Sequence, residues 1–503
     1  MKEKDSRILG ECKRKLAKRL ERKQWAEQDM PMFRARNIHY EMAERTRAID
    51  CGGIGAFHTL ARRTGLIEAI DDSLHLLKRH LPYHESDHVL NIGYNVLTGG
   101  TCLDDIELRR NDETYMNGLC AARIPDPTTA GDFTRRFCED DVLALMESVN
   151  RIRVKIWRKR LSRKERKVGI IDVDGMVAAT TGECKEGMDM AYNGVWGYHP
   201  LLVSLANTME PLYLVNRSGN RPSHEGSVEW LDRAASLAGQ EFDRVCFRGD
   251  TDFALTKEFD RWTAEGRDFV FGFDAMPNLV EIAEGLEEGR WRGLRRREKK
   301  ARGGKKRSRP ANVKDRIVEE RGYKNITLEA EHVAEFDYKP VKCKRSYRVI
   351  VLRKTLRIEE GQKLLFKEPR YFFYITNIED MSTAEVVFFA NERCDQENLI
   401  EQLKNGLNAL RMPVGDLVSN WAYMVMASLA WTLKAWFALL VRRREKRREL
   451  LGMEFRRFLN AVVRFPCQIV GGGRRIVYRI LGYNEWTGVF LRTFDVIRAL
   501  RFT

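Results

Sequence analysis

The stretch from Trp421 to Leu440 is almost wholly apolar, and it limits the folds open to this chain more than any other feature. As a helix, a run of this length is long enough to cross the hydrocarbon core of a bilayer. It is equally the composition of a helix buried on every side in a large protein. Lys434 interrupts it and Arg442–Arg444 follow it. A central lysine is costly in lipid, and no second hydrophobic segment accompanies this one, so the expectation is a core helix and no membrane span. Trp421, Trp431 and Trp436, at helical spacing within the run, are read as core residues. A helix of that kind needs a large surrounding core. The chain's 503 residues supply enough for two to four domains.

The rest of the chain changes character by segment. Residues 1–50 are charged and helix-prone. Residues 51–150 read as short helices, with Leu60, Leu66, Ile67 and Ile70 at three- and four-residue steps and Gly99-Gly100, Pro125 and Pro127 as breaks. Arg151–Lys167 is strongly basic and reads as an exposed helix or linker. From Val168 to Asp174 the run is short, apolar and β-branched, hence a strand. Further strands are expected at Pro200–Ala206, Leu212–Asn216, Arg244–Arg248 and Asp268–Phe273, with helices at Val228–Leu237 and from Thr256. Strands followed by strand–helix alternation indicate a mixed α/β sheet. Between 276 and 385 the alternation is interrupted by a basic segment and by strand-like runs at Tyr347–Leu352 and Tyr371–Thr376, which read as a β-rich insertion. A helix over Arg393–Leu410 resumes the pattern, and the tail after 446 is basic and unassigned.

Charge narrows the partner. With 88 Lys and Arg against 72 Asp and Glu, the net charge is +16 and the pI about 9.4. Such a surface favours a polyanion, because each neutralised phosphate releases condensed counterions. Twelve basic residues crowd 290–309, among them Arg295, Arg296, Arg297, Lys299 and Lys300, and are expected to add a salt-sensitive, sequence-independent contribution to nucleic-acid affinity. The ten scattered cysteines form no Cys-x-x-Cys pair, and the start of the chain carries no apolar signal segment. Both features suit reduced thiols and a cytoplasmic location.

Three acids stand out by position. Asp172 and Asp174 alternate on one strand and face the same way. Asp250 lies just past the end of another strand, where open α/β sheets place working residues. Glu397 falls on the expected helix after the insertion, on one face with Arg393 and Lys404. Converging carboxylates repel unless a cation lies between them. Mg²⁺, with Mn²⁺ as a substitute, takes oxygen ligands and substrate phosphates. Two such ions can activate a water or a 3′-hydroxyl and stabilise a leaving oxygen. Arg393 and Lys404 would then hold phosphates.

Four motifs, in order, carry a family resemblance: Ile171-Asp-Val-Asp-Gly-Met176, Gly197-Tyr-His-Pro-Leu-Leu202, Arg248-Gly-Asp-Thr-Asp-Phe253, and Asn391 through Lys404. Ser86-Asp-His-Val-Leu90, Gly99-Gly100, Leu103-Asp104 and Thr128-Thr129 fit as well. Over roughly residues 50–440 the chain resembles the DDE transposases of bacterial insertion sequences, in particular the group numbered thirteen-eighty. The resemblance implies a multidomain α/β protein whose ribonuclease-H-like catalytic domain is interrupted by the β-rich insertion. It divides the chain into a helical DNA-end-binding and dimerisation region (1–150), a catalytic domain in two parts (151–275 and 386–445) separated by the basic insertion (276–385), and a basic C-terminal region (446–503). Asp174, Asp250 and Glu397 would be catalytic and would bind two Mg²⁺ ions. The family pattern suits Asp174-Gly-Met better than Asp172-Val-Asp, which leaves Asp172 as the alternative first aspartate. In the family's final-helix signature, Arg393, Glu397 and Lys404 match, while Ala390 stands where a tyrosine is usual, a contact that falls to Phe389 if it is supplied at all.

The activity implied is cut-and-paste transposition, with a homodimer pairing the terminal inverted repeats of double-stranded DNA in a synaptic complex and then attacking a target. The alternatives are a nuclease of the same fold without strand transfer and a catalytically silent DNA-binding derivative. His80, His84 and His88 at four-residue steps suggest zinc, but Pro82 breaks the helix between them and no further ligand is near. His199, near the sheet where it could reach the site, and Asp252, in a turn, read as structural.

Overall fold

The apolar run forms the helix Leu417–Leu440, enclosed by protein along its whole apolar length. Asp416 starts it by accepting the Ser419 N–H at 2.8 Å, one of the amides a helix N-terminus leaves without a backbone partner. Its tryptophans are satisfied as well as buried. The indole of Trp421 donates to the Leu214 carbonyl at 2.5 Å, that of Trp431 to the Met209 carbonyl at 2.6 Å, and that of Trp436 to Glu210 Oε1 at 2.9 Å. Lys434 is tolerated because its ammonium lies 3.5 Å from the Trp431 ring centre and donates to the Leu451 carbonyl at 2.8 Å. Burial pushes its pKa well down.

This computed structural model describes residues 3–20, 39, 46–80, 82–182, 184–295, 324–360, 363–472 and 475–502. The chain divides into two compact units. Unit one gathers Met1–Arg166, Gly175–Arg221 and Asn398–Thr503. In it the Leu417–Leu440 helix packs against the helices Ile54–Thr64, Glu85–Leu97, Glu139–Arg160, Arg444–Leu451 and Thr487–Arg498 and against the strand Glu210–Val215. The tail therefore belongs with the N-terminal helices instead of forming a region of its own. Its hairpin, Cys467–Gly472 with Arg475–Ile480, adds Ala48–Ile49 as a third strand. The junction is so close that a Cβ on Gly53 would lie 2.2 Å from the Val462 carbonyl oxygen, so only glycine fits there.

The expectation of an exposed basic helix or linker over 151–167 is corrected in part: Arg151, Lys155, Arg158 and Lys159 are exposed, but Arg153 is not. The helix starts at Glu139, and Arg153 and Trp157 are buried within unit one. Arg153 donates through Nε to Glu210 Oε1 at 2.9 Å, and Trp157 donates to Glu210 Oε2 at 2.7 Å. A basic run looks solvated when the carboxylate that draws one of its members inward lies far along the sequence.

Unit two comprises Lys167–Asp174 and Pro222–Glu397. Its strands β1 (Val168–Gly175), β2 (Arg244–Gly249) and β3 (Asp268–Phe273) are parallel, in the order β1-β2-β3. Parallel neighbours need a crossover. Between β2 and β3 it is the helix α1 (Thr256–Ala264), whose Phe259 and Trp262 pack on Phe247, Phe269 and Phe271. The expected insertion proves to be a continuation of the same sheet. Three long strands, β4 (Lys324–Tyr338), β5 (Tyr347–Glu360) and β6 (Lys363–Thr376), form an antiparallel meander, and β6 pairs with β3 from Phe373↔Phe273 to Thr376↔Val270. Within β5 and β6 only Val349–Leu352 and Tyr371–Ile375 are continuously apolar, which is why the sequence shows short strands where long ones form. Next come α2 (Thr383–Asn391), whose Val386 and Val387 join a core with Cys246, Val270 and Ile350, and α3 (Cys394–Glu401).

Candidate active site

The period-two alternation of β1 puts Asp172 and Asp174 on one side, yet the two have different surroundings. Asp172 is 1% exposed and faces Arg248, its register partner on β2, itself 2% exposed. The guanidinium forks onto both carboxylate oxygens, Nε to Oδ1 at 2.6 Å and a terminal nitrogen to Oδ2 at 2.8 Å. Asp174, at the end of the strand, is instead partly open.

Asp250 stands just beyond β2. Its Oδ1 accepts the Asp252 N–H at 3.1 Å and so caps the short turn Thr251–Phe253, in which Asp252 is exposed. Burial raises the pKa of Asp250; the nearby Arg393 opposes that rise and Asp252 adds to it. Glu397 is on the first turns of α3, with most of its side chain in solvent. Arg393 occupies the turn between α2 and α3, and its guanidinium gathers the three acids. One nitrogen is 3.0 Å from Asp174 Oδ2 and 3.5 Å from Asp250 Oδ2, and another is 4.0 Å from Glu397 Oε1.

Three carboxylates from three elements therefore share one cationic group. Oxygen-only donors suit a hard divalent cation, so the donor chemistry fits Mg²⁺ or Mn²⁺. Among the described residues no group of three or more His, Cys, Asp or Glu side chains is close enough to form a finished metal cage. The charge that compensates the acids is the chain's own Arg393.

Lys404 is placed differently from the sequence expectation. The helix over Arg393–Leu410 is broken: α3 begins at Cys394, after Arg393, and ends at Glu401, where a π-helical turn, Gln402–Gly406, takes over. The wider turn shifts the helical phase, so Arg393, Glu397 and Lys404 do not form one regular face. Lys404 belongs to unit one. The Phe389 ring, considered in place of the usual tyrosine, lies against Arg248, 5.0 Å from the guanidinium carbon. Arg295 is exposed at the edge of the described segment, while Arg296, Arg297, Lys299 and Lys300 lie outside the described residues. Sequence reasoning did not single out Arg248; the one available sign was an arginine two residues ahead of Asp250, the same interval as Asp172 to Asp174.

The histidines are structural in their geometry. His80 and His84 stack at 4.4 Å, and His80 meets Glu85 at 3.1 Å. The His199 ring nitrogen Nδ1 bonds the Arg221 carbonyl at 2.6 Å. His88 stacks on Phe133 at 4.3 Å, its Nδ1 has no hydrogen-bond partner among the described residues, and burial depresses its pKa to about 4. The folded protein thus keeps His88 neutral where the unfolded chain, titrating near 6.5, takes up a proton. Its stability contribution is complete above about pH 6.5 and is lost as the pH falls from there toward 4, by about 3 kcal/mol. His88→Phe, which keeps the stack, is expected to flatten the melting temperature over this window. An unchanged pH slope would remove His88 as its cause.

A family model described as "Transposase DDE domain group 1" matches residues 44–502. No curated protein matches the sequence. Among solved structures, a piggyBac transposase synaptic complex with hairpin DNA is similar at 10% identity and a TM-score of 0.34, over 82% of each chain.

Proposed function

This chain belongs to the DDE transposase family, and on that premise we propose that unit two is a divalent-metal phosphoryl-transfer centre. It would free the 3′ ends of a DNA element at its terminal inverted repeats and join them to target DNA. The observation that carries this reading is the convergence of Asp174, Asp250 and Glu397 on Arg393. The first acid ends β1, the second follows β2, and the third comes after the β-rich segment on α3. That placement and the parallel strands joined by helices also support a ribonuclease-H-like reading of the unit. Assignment to the group numbered thirteen-eighty rests on the four motifs and their order.

Asp174, Asp250 and Glu397 would hold two Mg²⁺ ions, which, when bound, make a water or 3′-hydroxyl a better nucleophile and stabilise the leaving oxygen. The carboxylates fix the direction from which a phosphodiester is approached, because each comes from a rigid element or its immediate end. Arg393 has a fork that can exchange carboxylate oxygens for phosphate oxygens, so it would bind the scissile strand. Asp250 must be ionised to serve, and Arg393 favours that state against the effect of burial. Arg295 and the basic residues after it would add affinity for DNA of any sequence, and Lys404 would contact phosphate. The protein would act as a homodimer on paired ends, in the cytoplasm.

The test is a plasmid carrying paired ends, incubated with the full chain, Mg²⁺ or Mn²⁺ and a target plasmid. Joined ends are the expected product. Ends that are cut and never joined would indicate the nuclease alternative. Binding without cleavage in either metal would leave only the silent derivative.

A further inference from the structure

We propose that Asp172, Arg248 and Phe389 form a positioning clamp that sets the mutual spacing of the three acids and thereby the affinity of the site for its cations. The inference rests on the metal-site reading above and adds residues to it that touch neither metal nor DNA.

The connectivity is direct. Asp172 is two residues before Asp174 on β1, and Arg248 is two residues before Asp250 on β2, at paired positions in the parallel register. The fork between them ties together the strand ends that present the first two acids. The remaining arm of the same guanidinium reaches α2. It donates to the Phe389 carbonyl at 2.7 Å, while the guanidinium lies over the Phe389 ring and within 4.0 Å of Glu392. Phe389 is four residues ahead of Arg393 and eight ahead of Glu397. One buried cation on β2, the strand that leads to Asp250, thus holds β1, which presents Asp174, and the end of α2, from which the chain turns through Arg393 into α3 and Glu397.

Stability alone does not call for ions at this position. Exchanging a buried ion pair for well-packed apolar residues is often neutral or stabilising, and the adjoining core already contains Cys246, Val270, Val386 and Val387. What the planar fork supplies, and an apolar pair does not, is direction: two parallel N–H···O bonds fix both the distance between the strands and their relative slide. The pair also cancels Asp172's charge, so no fourth negative charge adds to the repulsion among the acids.

The experiment measures Mn²⁺ binding to the full chain by electron paramagnetic resonance, beside the melting temperature and the affinity for end DNA. The variants are Arg248→Lys, which keeps the charge and loses the fork, and the apolar double variant Asp172→Leu/Arg248→Met. Groups that hold a metal's ligands typically change its affinity by 10–100-fold. Arg248→Lys is expected to weaken Mn²⁺ binding by about that factor, with end-DNA affinity unchanged. The double variant is expected to melt within a few degrees of the wild type and still bind Mn²⁺ weakly. Wild-type Mn²⁺ affinity in either variant would overturn the clamp and leave the metal site standing. Absence of Mn²⁺ binding by the wild type would bring down both.

Discussion

Replacing Asp174 or Asp250 with cysteine is expected to abolish strand cleavage in Mg²⁺ and to restore a measurable fraction of it in Mn²⁺, whereas Asp172→Cys shows no such rescue. Mg²⁺ demands hard oxygen donors, while Mn²⁺ lies further along the series that accepts softer ligands. A thiolate at a true ligand position therefore changes which metal works. Loss in Mg²⁺ should exceed about 10²-fold, the upper effect of groups that only support a ligand. Asp172 should behave otherwise because both its oxygens are engaged by Arg248 in a place closed to solvent. Cysteine there breaks the fork, and no change of metal rebuilds it. Mn²⁺ rescue of Asp172→Cys, and its absence at Asp174→Cys, would reverse the assignment of the first aspartate.

The largest stability effect is expected at Glu210, which belongs to unit one, whereas the three candidate catalytic acids belong to unit two. Its carboxylate is fully buried in unit one and accepts from Arg153, Trp157 and Trp436 at 2.7–2.9 Å. Glu210→Ala leaves the Arg153 charge without its carboxylate and takes from two indole N–H groups the acceptor they share. Breaking a buried pair from one side costs about 3–5 kcal/mol. Because Arg153 also donates to the Pro211 carbonyl and the Thr432 hydroxyl, part of its hydrogen bonding survives. The urea midpoint of the first unfolding transition should fall accordingly, and Arg153→Leu in the same chain should recover much of the loss. A cost below about 1 kcal/mol would show that water reaches Arg153 and replaces the carboxylate.

The three acids that the structure brings to Arg393 are each marked in the sequence. Asp174 and Asp250 are legible because strand ends announce themselves locally, through short runs rich in apolar residues that stop at Gly175 and Gly249. Glu397 was legible from its helical context and from the motif order. The role of Arg393 was only half visible. Its spacing suggested a phosphate contact on one face with Lys404, but the π-turn at Gln402–Gly406 removes that regular face. A π-turn depends on how a segment packs, and periodicity carries no mark of it. Nothing local marks Arg248, because its partner is 76 residues away in the chain.

The same division runs through the fold. The amino-acid sequence by itself determined the core helix Leu417–Leu440, the parallel strands and the acids at their ends, since each depends on local composition and on periods of two or 3.6 residues. Tertiary structure alone decided that the tail would close on Ala48–Ile49, that Arg153 would turn inward to Glu210, and that Asp172 would pair with Arg248 in the interior while Asp174 stayed partly exposed beside Arg393. Those outcomes are set by partners distant in sequence. The balance between desolvating a charge and pairing it exists only once the partner has arrived.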